Sequence, residues 1–153
     1  MRMIKTGLTA PDFTLKDHEE GVLKLSAFKG KKVLLSFHPL AWTGICAEQM
    51  KSLETNGEEL EKNNTVALGI SVDSVPCKAA WAKELGIKNT RLLADFWPHG
   101  GVAAAYGIFR DQNGISERAN IIIDENGTII FGKIYPISEL PDMEEILNLL
   151  RQQ

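Results

Sequence analysis

Cysteine is scarce in this chain of 153 residues, which carries two, Cys46 and Cys77. Two thiols cannot staple a small secreted domain, so the fold must be closed by a hydrophobic core. A Cys-x-x-Cys pair is missing, because Gln49 stands three residues after Cys46, and this excludes ordinary dithiol exchange. Cys/His clusters at metal-ligand spacing are missing too, so no metal and no cofactor are expected. Long apolar runs are lacking: none approaches the roughly 18 to 20 residues that span a bilayer. Met1 to Gly7 has neither the apolar stretch nor the cleavage site of an export signal. The expectation is a cytoplasmic protein with no membrane partner. Basic tracts are absent and the formal net charge is -3, so nucleic acid is not an expected partner either. Without an internal repeat, the length suits one domain over residues 1–153.

What is present is a globular composition, 44% hydrophobic and 24% charged, enough to build a core unaided. Residues Pro11 to Lys24 alternate loosely about an acidic turn, Asp17 to Gly21, and predict a hairpin. Ser26 to Gly30 suits one helical turn. Lys32 to Phe37 is short and apolar without alternation, the pattern of a strand covered on both faces. Thr43 to Lys62 keeps helical spacing through Cys46, Met50, Leu53 and Leu60. Thr65 to Val72 predicts a second buried strand, and Ser74 with Pro76 opens a helix that runs to Gly86. Leu92 to Ala94 and Val102 to Tyr106 predict a short strand and a short helix. Asn126-Gly127 between two apolar runs marks a hairpin, and Pro141 to Leu150 a closing amphipathic helix. Strand-helix-strand alternation implies parallel pairing, and the closing hairpin adds antiparallel strands. The expected fold class is therefore α/β and thioredoxin-like. A mixed central sheet is flanked by helices, with an extra N-terminal β-hairpin.

This order puts residues 38 to 46 at the carboxyl edge of the central strand, where open α/β sheets bind ligands. Cys46 then falls in the first turn of a helix, where unpaired N–H groups and the helix dipole favour a thiolate, the nucleophilic form. Thr43 can cap that helix and offer a hydroxyl to an incoming oxygen. Pro39 lacks an N–H and stiffens the approach. Taken singly, a lone cysteine is more often an inert core residue, and a threonine at a helix start only a cap. Together they describe a site.

The segment Pro39-Leu40-Ala41-Trp42-Thr43-Gly44-Ile45-Cys46 resembles the P-x-x-x-T-x-x-C signature of the peroxiredoxins. Ala10 to Leu15, Ser71-Val72-Asp73-Ser74 followed by Trp81, and Arg118 before Asn120 to Asp124 resemble further parts of that family. Asp95 to Gly100 and Ala105-Tyr106-Gly107 resemble its alkyl hydroperoxide reductase E branch. The resemblance implies a thiol-dependent peroxidase that reduces hydrogen peroxide and organic hydroperoxides. Cys46 would be the peroxidatic cysteine. Thr43, with the backbone N–H groups around Gly44, Ile45 and Cys46, would hold the peroxide. Arg118 would pair with the thiolate and polarise the O–O bond. One departure stands out. Where many members carry Glu three residues after the cysteine, this chain has Gln49, a neutral partner for Arg118. His38 and His99 flank the region and are expected to be structural.

Oxidised Cys46 would be a sulfenic acid that a thiol must remove. Cys77, at the start of the next helix, is the one internal candidate for a resolving cysteine, and bridging would require the first turn around Cys46 to unwind. The alternative is a packing role for Cys77, with an external reductant, a thioredoxin-like protein or a low-molecular-weight thiol. Members of this size often form homodimers. Two other functions fit a lone reactive cysteine on this fold. A redox sensor or holdase would use the same Cys46 without turnover, and a copper carrier would want a cysteine where Met50 stands.

Overall fold

In a computed structural model of the protein, residues 2–153 are described. The N-terminal hairpin forms as β1 (Thr14–Asp17) and β2 (Val22–Lys24), and a 3₁₀ turn (Leu25–Phe28) leads to β3 (Lys32–Phe37). Two helices follow, α1 (Gly44–Thr55) and α2 (Gly57–Lys62), then β4 (Thr65–Ser71), α3 (Val75–Leu85) and β5 (Arg91–Ala94). The remainder is α4 (Gly101–Ala105), β6 (Phe109–Arg110), β7 (Ile115–Ser116), β8 (Arg118–Ile123), β9 (Ile129–Tyr135) and α5 (Met143–Arg151).

Seven strands form one sheet in the order β2-β1-β5-β4-β3-β8-β9. β3, β4 and β5 are parallel, while β8 and β9 add antiparallel strands beside β3. The sheet is thus mixed, as expected, and the N-terminal hairpin extends it by pairing β1 antiparallel with β5. Because successive side chains in a strand point to opposite faces, the fully buried run of β3 feeds two cores. Val33, Leu35 and Phe37 pack with Leu68, Ile70, Ile121 and the short α4 on one face. Leu34 packs with Leu92, Ile122 and the buried stripes of α1, α3 and α5 on the other.

One expectation needs correction, and one small element was not foreseen. Residues 43–62 are not one helix: α1 ends at Thr55 and Asn56 serves as its C-cap and as the N-cap of α2. The Asn56 amide side chain donates to Ser52 O at 2.8 Å, the local side-chain bonding by which Asn interrupts a helix. The small ribbon β6–β7, paired Phe109↔Ser116 and Arg110↔Ile115, had no expectation at all. Strands of two residues are too short to show a period.

The packing of α1 sets the height of Cys46 above the sheet. Met50, fully buried, lies over Gly69 of β4, where any added Cβ would collide with its sulfur. Only a missing side chain lets the helix approach this closely.

Candidate active site

Cys46 lies in the first turn of α1 and is 1% exposed. The N–H groups of Gly44, Ile45 and Cys46 have no intrahelical acceptors, since the first intrahelical bond runs from Ala47 N–H to Thr43 O at 2.9 Å. At a helix N-terminus, such unpaired N–H groups and the helix dipole favour negative charge.

Thr43 occupies the N-cap position, but its side chain does not cap. The hydroxyl turns back and donates to Leu40 O at 2.7 Å, which corrects the capping expectation. It stays exposed at the mouth, and its oxygen lone pairs remain open to a second partner. Trp42, just before it, is held at φ 66°, a left-handed conformation that costs a bulky residue about 1–3 kcal/mol. Pro39 is buried at the start of this turn. The turn is anchored from outside by the Asp73 carboxylate, whose Oδ2 accepts the Ala41 N–H at 2.8 Å.

Arg118 begins β8 and is 2% exposed, not a solvated charge. Its Nη1 lies 3.3 Å from Cys46 Sγ and donates to Gln49 Oε1 at 2.7 Å. Nε and Nη2 both donate to Ile137 O, at 3.1 and 2.7 Å. Among the described residues it makes no ion pair with a carboxylate. A buried guanidinium calls for a compensating partner, and the Cys46 sulfur stands in reach.

Gln49 is fixed by a buried polar row. Its Nε2 donates to Ser36 Oγ at 2.8 Å and Phe37 O at 3.1 Å, and Ser36 Oγ donates to Asn120 Oδ1 at 2.8 Å. Ser36 and Asn120 are directly paired across β3 and β8. Neither was singled out from sequence, although a polar residue within the apolar runs KVLLSF and RANIII is a readable signal.

Cys77 lies in the first turn of α3, partly buried, and both cysteines are free thiols. It packs against the cluster that contains Cys46. Its Sγ lies 3.8 Å from Asp73 Oδ1. Burial and then the Asp73 charge push the thiol up, while a hydrogen bond with Trp42 opposes them. Through Asp73, which also accepts the Ala41 N–H, Cys77 is linked to the turn that precedes Cys46.

His38 is completely buried, and burial followed by the nearby Lys78 charge holds it well below the ordinary imidazole range. It is neutral at physiological pH. His99 is exposed and bonds Gly114 O at 2.7 Å, so it steadies the β6–β7 turn. Lys78, equally missed from sequence, is fully buried behind the site. Its signal was its position on the same helical face as Trp81 and Ala82. No group of three or more His, Cys, Asp or Glu is placed to hold a metal among the described residues, and no helix there is long and apolar enough to cross a membrane.

The AhpC/TSA family model matches residues 6–131. Alkyl hydroperoxide reductase E of Mycobacterium tuberculosis is 42% identical over 141 residues, covering 92% of each chain. Peroxiredoxin-1 of Gekko japonicus is 34% identical, covering 95% of this chain and 77% of its own. The reduced 2-Cys peroxiredoxin of Plasmodium vivax superposes with TM-score 0.87 at 29% identity, covering 95% of this chain and 80% of that one. The peroxidoxin BcpB of Mycobacterium tuberculosis gives 0.85 at 26%, covering 97% of both.

Proposed function

We propose how this chain works from one premise: it belongs to the AhpC/TSA family, the peroxiredoxins. It is a thiol-dependent peroxidase whose substrate is a hydroperoxide and whose second substrate is a thiol. Cys46 is the peroxidatic residue, and the observation that carries this is the buried Arg118 guanidinium 3.3 Å from its sulfur.

The thiolate attacks the terminal oxygen of the hydroperoxide and the O–O bond breaks. Cys46 becomes a sulfenic acid, and the departing alkoxide or hydroxide takes a proton to leave as alcohol or water. Negative charge moves from sulfur to the leaving oxygen. Arg118 and the N–H groups of Gly44, Ile45 and Cys46 are already aimed at that charge, so little reorganisation is required. Thr43 Oγ orients the peroxide, and Pro39 holds the turn and limits water.

Cys77 resolves the sulfenic acid, with loss of water and formation of a Cys46–Cys77 disulfide that an external thioredoxin-like protein or low-molecular-weight thiol then reduces. Its contact with Asp73, which anchors the turn through the Ala41 N–H, supports this. We also propose a single domain acting as a homodimer in the cytoplasm. The exposed apolar side chains Leu40, Trp42, Phe96 and Trp97 support self-association, and the two free thiols suit a reducing compartment.

Stopped-flow fluorescence of the reduced protein mixed with hydrogen peroxide tests the central assignment. Cys46→Ser should lose the fast phase and all turnover. Appreciable turnover by that variant would remove Cys46 from the role.

A further inference from the structure

Lys78 is 0% exposed, and no carboxylate touches it directly. Its Nζ meets His38 Nε2 at 3.1 Å and donates to Ser71 Oγ at 2.6 Å. Ser71 Oγ in turn donates to Asp73 Oδ2 at 2.6 Å, and that same oxygen accepts the Ala41 N–H. The row therefore ends on the strained turn that carries Thr43 and leads into Cys46. On its other side, His38 Nδ1 faces Ser36 O at 3.4 Å, which selects the Nδ1–H tautomer and leaves Nε2 bare for the lysine.

We propose that Lys78 is a positioning residue for the peroxide reaction, a buried, proton-gated lock that holds the Pro39–Thr43 turn through Ser71 and Asp73. The reason lies in the donor count. A charged ammonium has three donors and no acceptor, so it forces one direction on the row: Ser71 must accept from lysine and spend its own proton on Asp73. A neutral amine has a lone pair. Ser71 can then turn its proton back to Nζ, and Asp73 Oδ2 loses both that donor and its nearby cation. The anchor on Ala41 N–H slackens where Trp42 already strains the backbone.

Burial draws the Lys78 amine down to about 7, so the lock changes state within the physiological range. Asp73, Cys77, Cys46 and Asp95 face it with charges that favour the ammonium, and Arg118 faces His38 on the far side. Low pH locks the turn for attack on peroxide. Higher pH frees it for the unwinding that a Cys46–Cys77 bridge requires.

The inference rests on Cys46 being the attacking thiol, and two measurements keep the readings apart. Amide exchange at Ala41 needs no peroxide. Its protection factor in the wild type should fall about tenfold as pH rises through about 7. In Lys78→Met and in Ser71→Ala it should be low and flat with pH. Stopped-flow peroxide reduction is the second measurement. Both variants should react about tenfold more slowly than wild type at pH 6, as expected for a small misplacement, and the gap should close above pH 8. Lys78→Met removes the lysine charge and leaves Asp73, Cys77, Cys46 and Asp95 in place, so the difference isolates the lysine. Should burial of Met prevent folding, Ser71→Ala cuts the row and keeps the charge. Ala41 protection that is flat with pH in the wild type, or unchanged in Ser71→Ala, overturns the lock. Normal rates at pH 6 in a variant whose Ala41 has lost protection overturn its part in the reaction. Failure of the wild type to react at all would strike the Cys46 assignment and leave the exchange result standing.

Discussion

Gln49 Oε1 accepts a 2.7 Å hydrogen bond from the same Arg118 Nη1 that lies 3.3 Å from Cys46 Sγ. One nitrogen thus serves both the residue that orients it and the sulfur it is proposed to activate. The orienting group is neutral, so the guanidinium charge is not cancelled before it reaches the sulfur. Gln49→Ala should slow peroxide reduction about tenfold, the lower end for losing an orienting partner. Gln49→Glu should restore the geometry but share the charge, giving a rate between Ala and wild type at pH 6. Stopped-flow rates of the three proteins check this, and a Glu variant slower than Ala would contradict it.

Replacement of Thr43 or Arg118 by Ala should reduce the second-order rate with hydrogen peroxide by about 10²- to 10³-fold each, the usual loss for one donor at developing charge. Circular dichroism should show Thr43→Ala to be folded normally, since Thr43 is exposed. Arg118→Lys should not rescue fully. A point charge cannot serve Cys46, Gln49 and Ile137 O together as the guanidinium does. Wild-type rates in both alanine variants would remove these residues from the site.

After one equivalent of peroxide, mass spectrometry under non-reducing conditions should reveal a peptide cross-linked through Cys46 and Cys77. In Cys77→Ser the first reaction with peroxide should keep its rate, because Cys77 enters only after the O–O bond has broken. The variant should then lose turnover with a thioredoxin-like reductant and over-oxidise more readily. A lasting dimedone adduct on wild-type Cys46 with Cys77 still alkylatable would instead assign reduction to an external thiol.

Stability should rise with pH across the neutral range. The Lys78 amine sits at about 7 in the folded state against an ordinary 10.5, so between those values the unfolded chain binds the extra proton. Stability therefore increases from about pH 7 towards 10.5. His38 acts in the same direction at lower pH. Its folded value lies well below 6.5, so stability is lost as pH falls below 6.5. Burial raises Tyr106 above its ordinary 10.0, which keeps its proton on in the folded state and lowers stability again once the unfolded chain ionises. Urea midpoints measured from pH 5 to 11 should trace this dome, and Lys78→Met should flatten its neutral flank. A midpoint constant from pH 7 to 9 in the wild type would contradict the buried lysine.

Most of the frame was legible along the chain because its signals are local. The mostly apolar, non-alternating run of β3, the Ser74 cap with Pro76 behind it, and Asn126-Gly127 each state their own geometry through side-chain period or turn chemistry. The helix-mouth cysteine was legible for the same reason, since an N-terminal turn and its signature are contiguous. The break at Asn56 and the two-residue strands β6 and β7 were not, because one amide side chain or two residues carry too little periodicity. What only the tertiary structure decided is how distant polar groups meet. Arg118 reaches Cys46 across 72 positions of sequence, and Lys78 reaches His38 across 40. No local pattern encodes such a meeting. It arises because β3, β4 and β8 lie side by side, and a buried charge in that sheet must find its partners in space.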